Sequence, residues 1–304
     1  MKMILIFQFN FIINKKFILF YFRCVYILQI LKDYFILLII NYKMSEKIME
    51  LKTVQTGAFK TMTEALKEIL TDANIEFSED CMKIVTMDPT QTILVHLKLE
   101  KDNFESYYCK HKICIGINMS NFFKLIRVLT NNDALTLFID KENTNLLGIR
   151  IENGEKNSLS NYYLNLIEVD ETSYQIPPAQ FESIITMPSN EFNKICRDMI
   201  NLSDIIEIKS VGSQLIFSCK GEFASQETII GETSNGLTFV KSSDEDNIIQ
   251  GYYNLKHLVL FTKCTNLCNS IEMYMKNNFP IVIKFTVGSL GCLKLALAPK
   301  VELE

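Results

Sequence analysis

The sequence predicts an α+β fold made of two similar domains, each an antiparallel sheet that carries two helices. Three observations lead there. Most apolar runs alternate strictly, apolar then polar, as half-buried antiparallel strands do. Only four segments carry the 3.6-residue period of a helix, two in each half of the chain. Between the halves runs NLIEVDETSYQIPPAQF (165–181), acidic in its middle and closed by Pro177-Pro178, which cannot continue a strand ladder.

Residues 1–43 stand apart from this pattern. They are almost entirely Phe, Ile, Leu, Lys, Asn and Tyr, with no Ala, Gly, Pro, Ser, Thr, Glu or His. No small-residue cleavage site is present, so they do not read as a signal peptide. Asn14-Lys15-Lys16, Arg23 and Lys32-Asp33 break every apolar run short of a membrane span. The composition is what AT-rich codons spell, and an upstream stretch translated in error is the preferred reading, with Met44 as the start. A membrane anchor and an amphipathic extension are the alternatives.

From Met44 the composition changes. The strands include TILVHLKLE (92–100), with Ile93, Val95, Leu97 and Leu99 on one face, and LLGIRIE (146–152), with Leu147, Ile149 and Ile151. QLIFSCK (214–220), SIEMYMK (270–276), IVIKFTV (281–287) and CLKLALA (292–298) follow in the second half, the last with Leu293, Leu295 and Leu297 on one face. The helices are expected over 57–70, 120–129, 189–200 and 254–264, with Thr56, Ser120, Ser189 and Asn254 as N-caps. The expected organisation is therefore a domain over 44–164, a connector over 165–181 and a second domain over 182–304.

Charge gives the first functional clue. Six of the 31 Lys and Arg and one of the 35 Asp and Glu lie in residues 1–43, which leaves 25 cations against 34 anions, a net of −9, for the rest. Such a body does not advertise nucleic-acid binding, so any contact with a polyanion needs a local patch. Each of the four helices nevertheless carries a cation pair at helical spacing on its non-core side. The pairs are Lys60 and Lys67, Lys124 and Arg127, Lys194 and Arg197, and Lys256 and Lys263. On one helix this would be a solvated face; in four of four it points to sequence-independent phosphate contact, although Glu64, Glu68 and Asp198 interrupt it. No aromatic platform for single-stranded bases accompanies the cations.

Catalysis and metal binding find little support. GEKNS (154–158) lacks the upstream glycine and following helix of a phosphate loop, and His96, His111 and His257 are scattered. The acids Asp244-Glu245-Asp246 sit in a polar loop. Of nine cysteines, Cys109 and Cys114 are expected on opposite faces of one strand, and Cys264 and Cys268 have no companion pair. No metal site and no cofactor are expected.

Over 48–304 the chain resembles the eukaryotic-type DNA polymerase sliding clamp, the proliferating cell nuclear antigen family. The similarity is carried by FKTMTEALKEIL, TMDPTQTILVHLKL, MPSNEFNKICRDM, LVLFTKCTNL and LKLALAPKVELE, with KICRDM and LAPK the most specific. The resemblance implies a non-enzymatic processivity factor, closing head to tail as a homotrimer around double-stranded DNA. Its partners would be DNA polymerase, a clamp loader and other proteins bearing a clamp-binding peptide, with no membrane involved. It would work in the nucleus, or in a cytoplasmic replication compartment if viral. The eight helix cations would then face the duplex.

The subunit interface would use Tyr162 and Leu164 in 157–165, with Phe223 and Ile229 in 222–230. A partner peptide would enter a pocket formed by Met87, Gln91, Leu94, Tyr174, Ile176, Pro280, Ala296 and Leu297, with Ala298, Pro299 and Lys300 beside it. Three positions depart from the family: Gln91 replaces a histidine, Tyr174 a leucine and Ala296 a tyrosine. Gly212 stands where the family has a ubiquitin-acceptor lysine. A subunit of a heteromeric checkpoint-type clamp is the alternative within the same fold, and a membrane-tethered protein using residues 1–43 the remote one.

Overall fold

The computed structural model describes residues 47–168, 174, 176, 179–241 and 247–300. The first half runs β1 (Lys47–Thr53), α1 (Thr56–Ile69), β2 (Asp72–Phe77), β3 (Cys81–Met87), β4 (Ile93–Glu100), β5 (Ser106–Cys109), β6 (Ile113–Asn118), α2 (Met119–Ile126), β7 (Asp133–Asp140), β8 (Leu146–Asn153) and β9 (Ser158–Asn165). The second runs β10 (Ser183–Pro188), α3 (Ser189–Met199), β11 (Ile205–Val211), β12 (Gln214–Lys220), β13 (Ser225–Gly231), β14 (Thr238–Lys241), β15 (Ile249–Asn254), α4 (Leu255–Phe261), β16 (Ser270–Met275), β17 (Ile281–Val287) and β18 (Gly291–Leu297). The order of strands and helices is the same in both halves. A 3₁₀ turn, Thr262–Leu267, extends α4.

The sheets repeat as well. One has the order β5-β1-β7-β8-β9 and another β13-β12-β11-β15. The third has nine strands, β14-β10-β16-β17-β18-β4-β3-β2-β6, which is the second half's copy of the first sheet joined to the first half's copy of the second. The joint is the antiparallel pair β18–β4, from Gly291 opposite Leu99 to Leu297 opposite Ile93. The two halves thus share one continuous sheet, and Gln55, just before α1, reinforces it from the helix side. Gln55 Nε2 donates to Ser289 Oγ at 2.7 Å, and the backbone N–H of Ser289 donates back to Gln55 Oε1 at 2.9 Å.

The helices lie against the buried face of these sheets because their apolar stripes have nowhere else to go. Phe59, Met62, Leu66 and Ile69 of α1 are buried, as are Phe192, Ile195, Cys196 and Met199 of α3. Phe59 and Phe122 meet edge to face at 6.4 Å and lock α1 to α2. Asn193 Nδ2 donates to Thr265 Oγ1 at 3.3 Å, tying α3 to the turn after α4.

Several local expectations need correction. Helix α2 starts one residue early, at Met119, because the Asn118 carboxamide rather than Ser120 accepts the orphan N–H of Asn121 at 3.0 Å. Ser189 is the first residue of α3, following Pro188, and its hydroxyl donates to the Cys268 carbonyl at 2.6 Å. Thr56 likewise lies inside α1, with its hydroxyl on the Thr130 carbonyl at 2.8 Å. Asn254 does cap α4, accepting from Lys256 N–H at 2.9 Å. Cys109 and Cys114 belong to two strands, β5 and β6, not to one.

Candidate nucleic-acid interface and docking groove

The packing of α2 on α1, of α1 on the turn after α4, and of that turn on α3 makes one helix layer. Its outward side collects the cations. Lys124, Arg127, Lys194, Arg197, Lys256 and Lys263 are exposed. Among the described residues Arg127, Lys194, Arg197 and Lys263 have no ion pair, and Lys124 only donates to Asn121 Oδ1 at 3.2 Å. Lys256 meets Asp204 at 3.1 Å, an exposed pair that contributes little.

Lys60 and Lys67 are different: they are half-buried and occupied. Lys60 Nζ donates to the Leu129 carbonyl at 3.1 Å, which satisfies a backbone acceptor just past the end of α2. Lys67 Nζ bonds Glu68 Oε1 at 2.5 Å and lies 4.9 Å from the centre of the Phe123 ring. That hydrogen bond from Lys67, with the charges of Lys67 and Lys263, holds the Glu68 carboxyl below its ordinary range despite partial burial. Of the eight helix cations expected to face a duplex, six are thus exposed and two, Lys60 and Lys67, are half-buried and brace α1.

A second feature lies on the opposite, open face of the nine-stranded sheet. Cross-strand register aligns Met87 with Leu94, Leu94 with Ala296, Ala296 with Val282, Val282 with Tyr274, and Tyr274 with Ile184. Successive strands therefore present one half-buried, mostly apolar row. Phe181 extends it, with its ring 5.4 Å from Tyr274 and 5.8 Å from Phe279. Next to Phe279, Pro280 is half-buried, and Tyr174 is half-buried and Ile176 exposed.

At one end the row is closed by the turn 88–92. Asp88 is buried there and accepts from the N–H groups of Thr90, Thr92 and Ile93 at 3.1, 2.8 and 2.7 Å. Burial pushes the Asp88 carboxyl up, but the Thr90 hydroxyl and the three N–H groups outweigh it and hold the group below its ordinary value. The turn puts Gln91, exposed, at φ 55° on the rim. Leu297 does not line the row. It is fully buried and points to the core between Ile281 and Ile93, while its neighbour Ala296 faces outward. Beyond it Ala298 N–H donates to the Thr92 carbonyl and Lys300 N–H to that of Tyr252, at 3.2 and 2.7 Å. Pro299 and Lys300 border a separate open cleft of about 480 Å³ with Ile248, Gln250 and Phe279.

The third feature is the pair of outer strands. β9 and β13 each have a neighbour on one side only. Tyr162 and Leu164 on β9 are half-buried against the core, whereas Leu159, Tyr163, Phe223 and Ile229 are exposed. Open edges carrying large apolar groups invite pairing. Sequence reasoning found these segments but missed Leu159 and Tyr163, which the alternation on β9 places on the solvent side. It also missed the polar row beside the apolar one (His96, Lys294, Lys284), although strand parity with Leu94 and Ala296 carries that signal.

Among the described residues no cluster of three or more His, Cys, Asp or Glu side chains is arranged to hold a metal ion. None of the helices there is long and apolar enough to cross a membrane. Residues 1–43, Asp170, Glu171, Pro177-Pro178 and Asp244-Glu245-Asp246 lie outside the described residues.

The family model for the proliferating cell nuclear antigen N-terminal domain matches residues 48–174, and that for the C-terminal domain residues 175–300. A curated relative described as "Probable DNA polymerase sliding clamp 1", from Paramecium bursaria Chlorella virus 1, is 35% identical over 256 residues. The match covers 83% of this chain and 97% of that one. With cations gathered on a helix layer, an apolar row on the outer sheet and two open edge strands, the chain belongs to the proliferating cell nuclear antigen family of DNA polymerase sliding clamps.

Proposed function

We propose that three copies of the chain close head to tail into a ring that encircles duplex DNA and tethers replication proteins to it through short peptides docked on the apolar row. One observation carries the ring. Within the chain, β18 of the second half pairs with β4 of the first, and the internal repeat makes β9 the counterpart of β18 and β13 the counterpart of β4. The same antiparallel joint, made between chains instead of within one, removes the open edges of β9 and β13.

The repeat also supplies a register. Leu159 corresponds to Cys292 and Ile229 to Lys98, which face each other in the internal joint. Leu159 of one copy therefore meets Ile229 of the next, with Tyr162 opposite Gln226 and Leu164 opposite Ala224. A helix layer continued round such a ring lines the hole with Lys124, Arg127, Lys194, Arg197, Lys256 and Lys263. These positions suit phosphates and read no bases. The work is tethering, with no chemical step. A site of DNA replication is where it acts.

The test is the solution mass of the purified protein by light scattering across a concentration series. A mass three times that of the chain, held at low micromolar concentration, is the expected result. A persistent monomer that forms rings only with unlike chains would move the protein to the heteromeric type.

A further inference from the structure

The apolar row has a charged neighbour. Two residues along each strand, about 7 Å away, the open face carries a second row in which Val85 faces His96, His96 faces Lys294 and Lys294 faces Lys284. Lys83 and Lys98, themselves opposite each other, stand next along β3 and β4. On β3, β4, β18 and β17 this face therefore holds four lysines and one carboxylate, Glu100. Lys98 is neutralised by Glu100 at 2.7 Å, Lys284 by Glu272 at 2.8 Å, and Lys83 is paired with Glu76 of β2 at 3.7 Å. Lys294, between them, has no ion pair among the described residues. His96 is half-buried, and burial, then Lys294, Lys83 and Lys98, hold its imidazole below the ordinary histidine value. Neutral at pH 7, it adds a hydrogen-bonding group without adding charge. Lys294 is thus the one lysine of the four with no carboxylate partner among the described residues, beside an apolar row in a body of net −9.

We infer that His96 and Lys294 form an acid-selecting subsite: partner peptides whose apolar anchors fill the row carry a carboxylate side chain about one helical turn away, over Lys294. One turn rises about 5.4 Å, and the reach of a Glu or Asp side chain covers the remainder of the roughly 7 Å between the two rows. The occupant is thus a short helical segment of a partner protein with leucine and aromatic anchors and a Glu or Asp at i+3 or i+4 beyond them. The inference rests on the docking role proposed above for the apolar row, and its test separates the two.

Two fluorescein-labelled synthetic peptides, alike except for Glu or Gln at that position, are titrated with the full chain by fluorescence polarisation at low and high salt. The Glu peptide is expected to bind about tenfold more tightly at low salt, with the gap shrinking as salt rises. Lys294→Gln should close the gap without weakening the Gln peptide, and Lys294→Arg should restore it. Equal affinities for two peptides that both bind would overturn the subsite and leave the docking row standing. Failure of both to bind would overturn the docking reading and the subsite together. If Lys294→Gln instead weakened retention on duplex DNA, the lysine row would belong to nucleic acid and the proposal would fall. Unchanged circular dichroism of the Lys294 variants excludes misfolding as the cause.

Discussion

Replacing Ile229 by Asp tests the proposed ring at its joint. In the isolated chain Ile229 is 54% exposed and Leu159 is 59% exposed, so each has about half its side chain still to bury. Full burial of such a side chain is worth roughly 1.5–3 kcal/mol, which makes the remaining share about 1 kcal/mol. A carboxylate set against Leu159 of the next chain also deprives that side chain of its apolar neighbour, about 1 kcal/mol more. The charge itself stays on the open face, as Lys98 does in the internal joint with 42% of its side chain exposed, and adds little. Each joint is therefore weakened by about 2 kcal/mol and a ring of three joints by about 6, which is about four decades in the trimer association constant. Because trimer formation depends on the square of free chain concentration at the midpoint, that midpoint rises by roughly two decades. Light scattering should find monomer at about 1 µM for Ile229→Asp, while Ile229→Leu stays trimeric. A variant ring with the concentration dependence of the parent would refute the β9–β13 joint.

Three further outcomes follow from single side chains. The folded-state value of Asp88 is depressed below its ordinary 3.8. Its stabilisation is therefore complete above that value and lost as pH falls through the lower folded value. The urea midpoint should drop below about pH 4, and Asp88→Asn should flatten that drop while costing about 2–3 kcal/mol at pH 7. At Gly148 an added Cβ would stand 2.3 Å from the Phe138 ring, so Gly148→Ala forces the ring aside. A cost of about 1–3 kcal/mol and a fall of several degrees in Tm are expected; an unchanged melting curve would show that the ring has room to move. Lys194→Ala with Arg197→Ala should reduce the slope of log affinity for DNA against log salt by about 0.9 for each phosphate that the pair had neutralised. That is roughly 2 if one copy's pair engages at a time and roughly 5 if all three do, and an unchanged slope removes this helix from the duplex.

Periodicity made the helices and most strands legible. The 3.6-residue stripe of Phe192, Ile195, Cys196 and Met199 is buried as read, and so is the alternating stripe of Leu293, Leu295 and Leu297. That stripe also shows where the reading of the site slipped. Leu297 shares parity with two core residues and cannot also face a partner; the outward position is Ala296, one residue away. Caps were less legible because Ser, Thr and Asn all have the right chemistry, and only the chain path chose Asn118 over Ser120. Lys60 and Lys67 were placed on the correct face. The Leu129 carbonyl and the Phe123 ring that occupy them come from other segments, whose approach no local pattern encodes. The continuous nine-stranded sheet was invisible for the same reason: β18 and β4 lie far apart along the chain, and nothing in either strand names its partner.

The distribution of charge on the helix layer suits the sliding contact proposed above. A surface that gripped phosphates with every available cation would give a steep salt slope and deep energy wells one phosphate spacing apart. Here Lys60 and Lys67 are committed inside the protein, Lys256 is shared with Asp204, and Glu64 and Asp198 stand exposed among the rest. The free cations sit on rigid helices but end in flexible side chains, so a contact broken at one phosphate re-forms at the next with little reorganisation. Phe123, half-buried beside the Lys67 ammonium, offers no open face for a base. The potential along the duplex is then shallow and nearly independent of sequence. In the proposed ring, retention then comes from closure rather than from affinity, so the strength of the β9–β13 joint, not the number of inner cations, would set how long the protein stays on DNA.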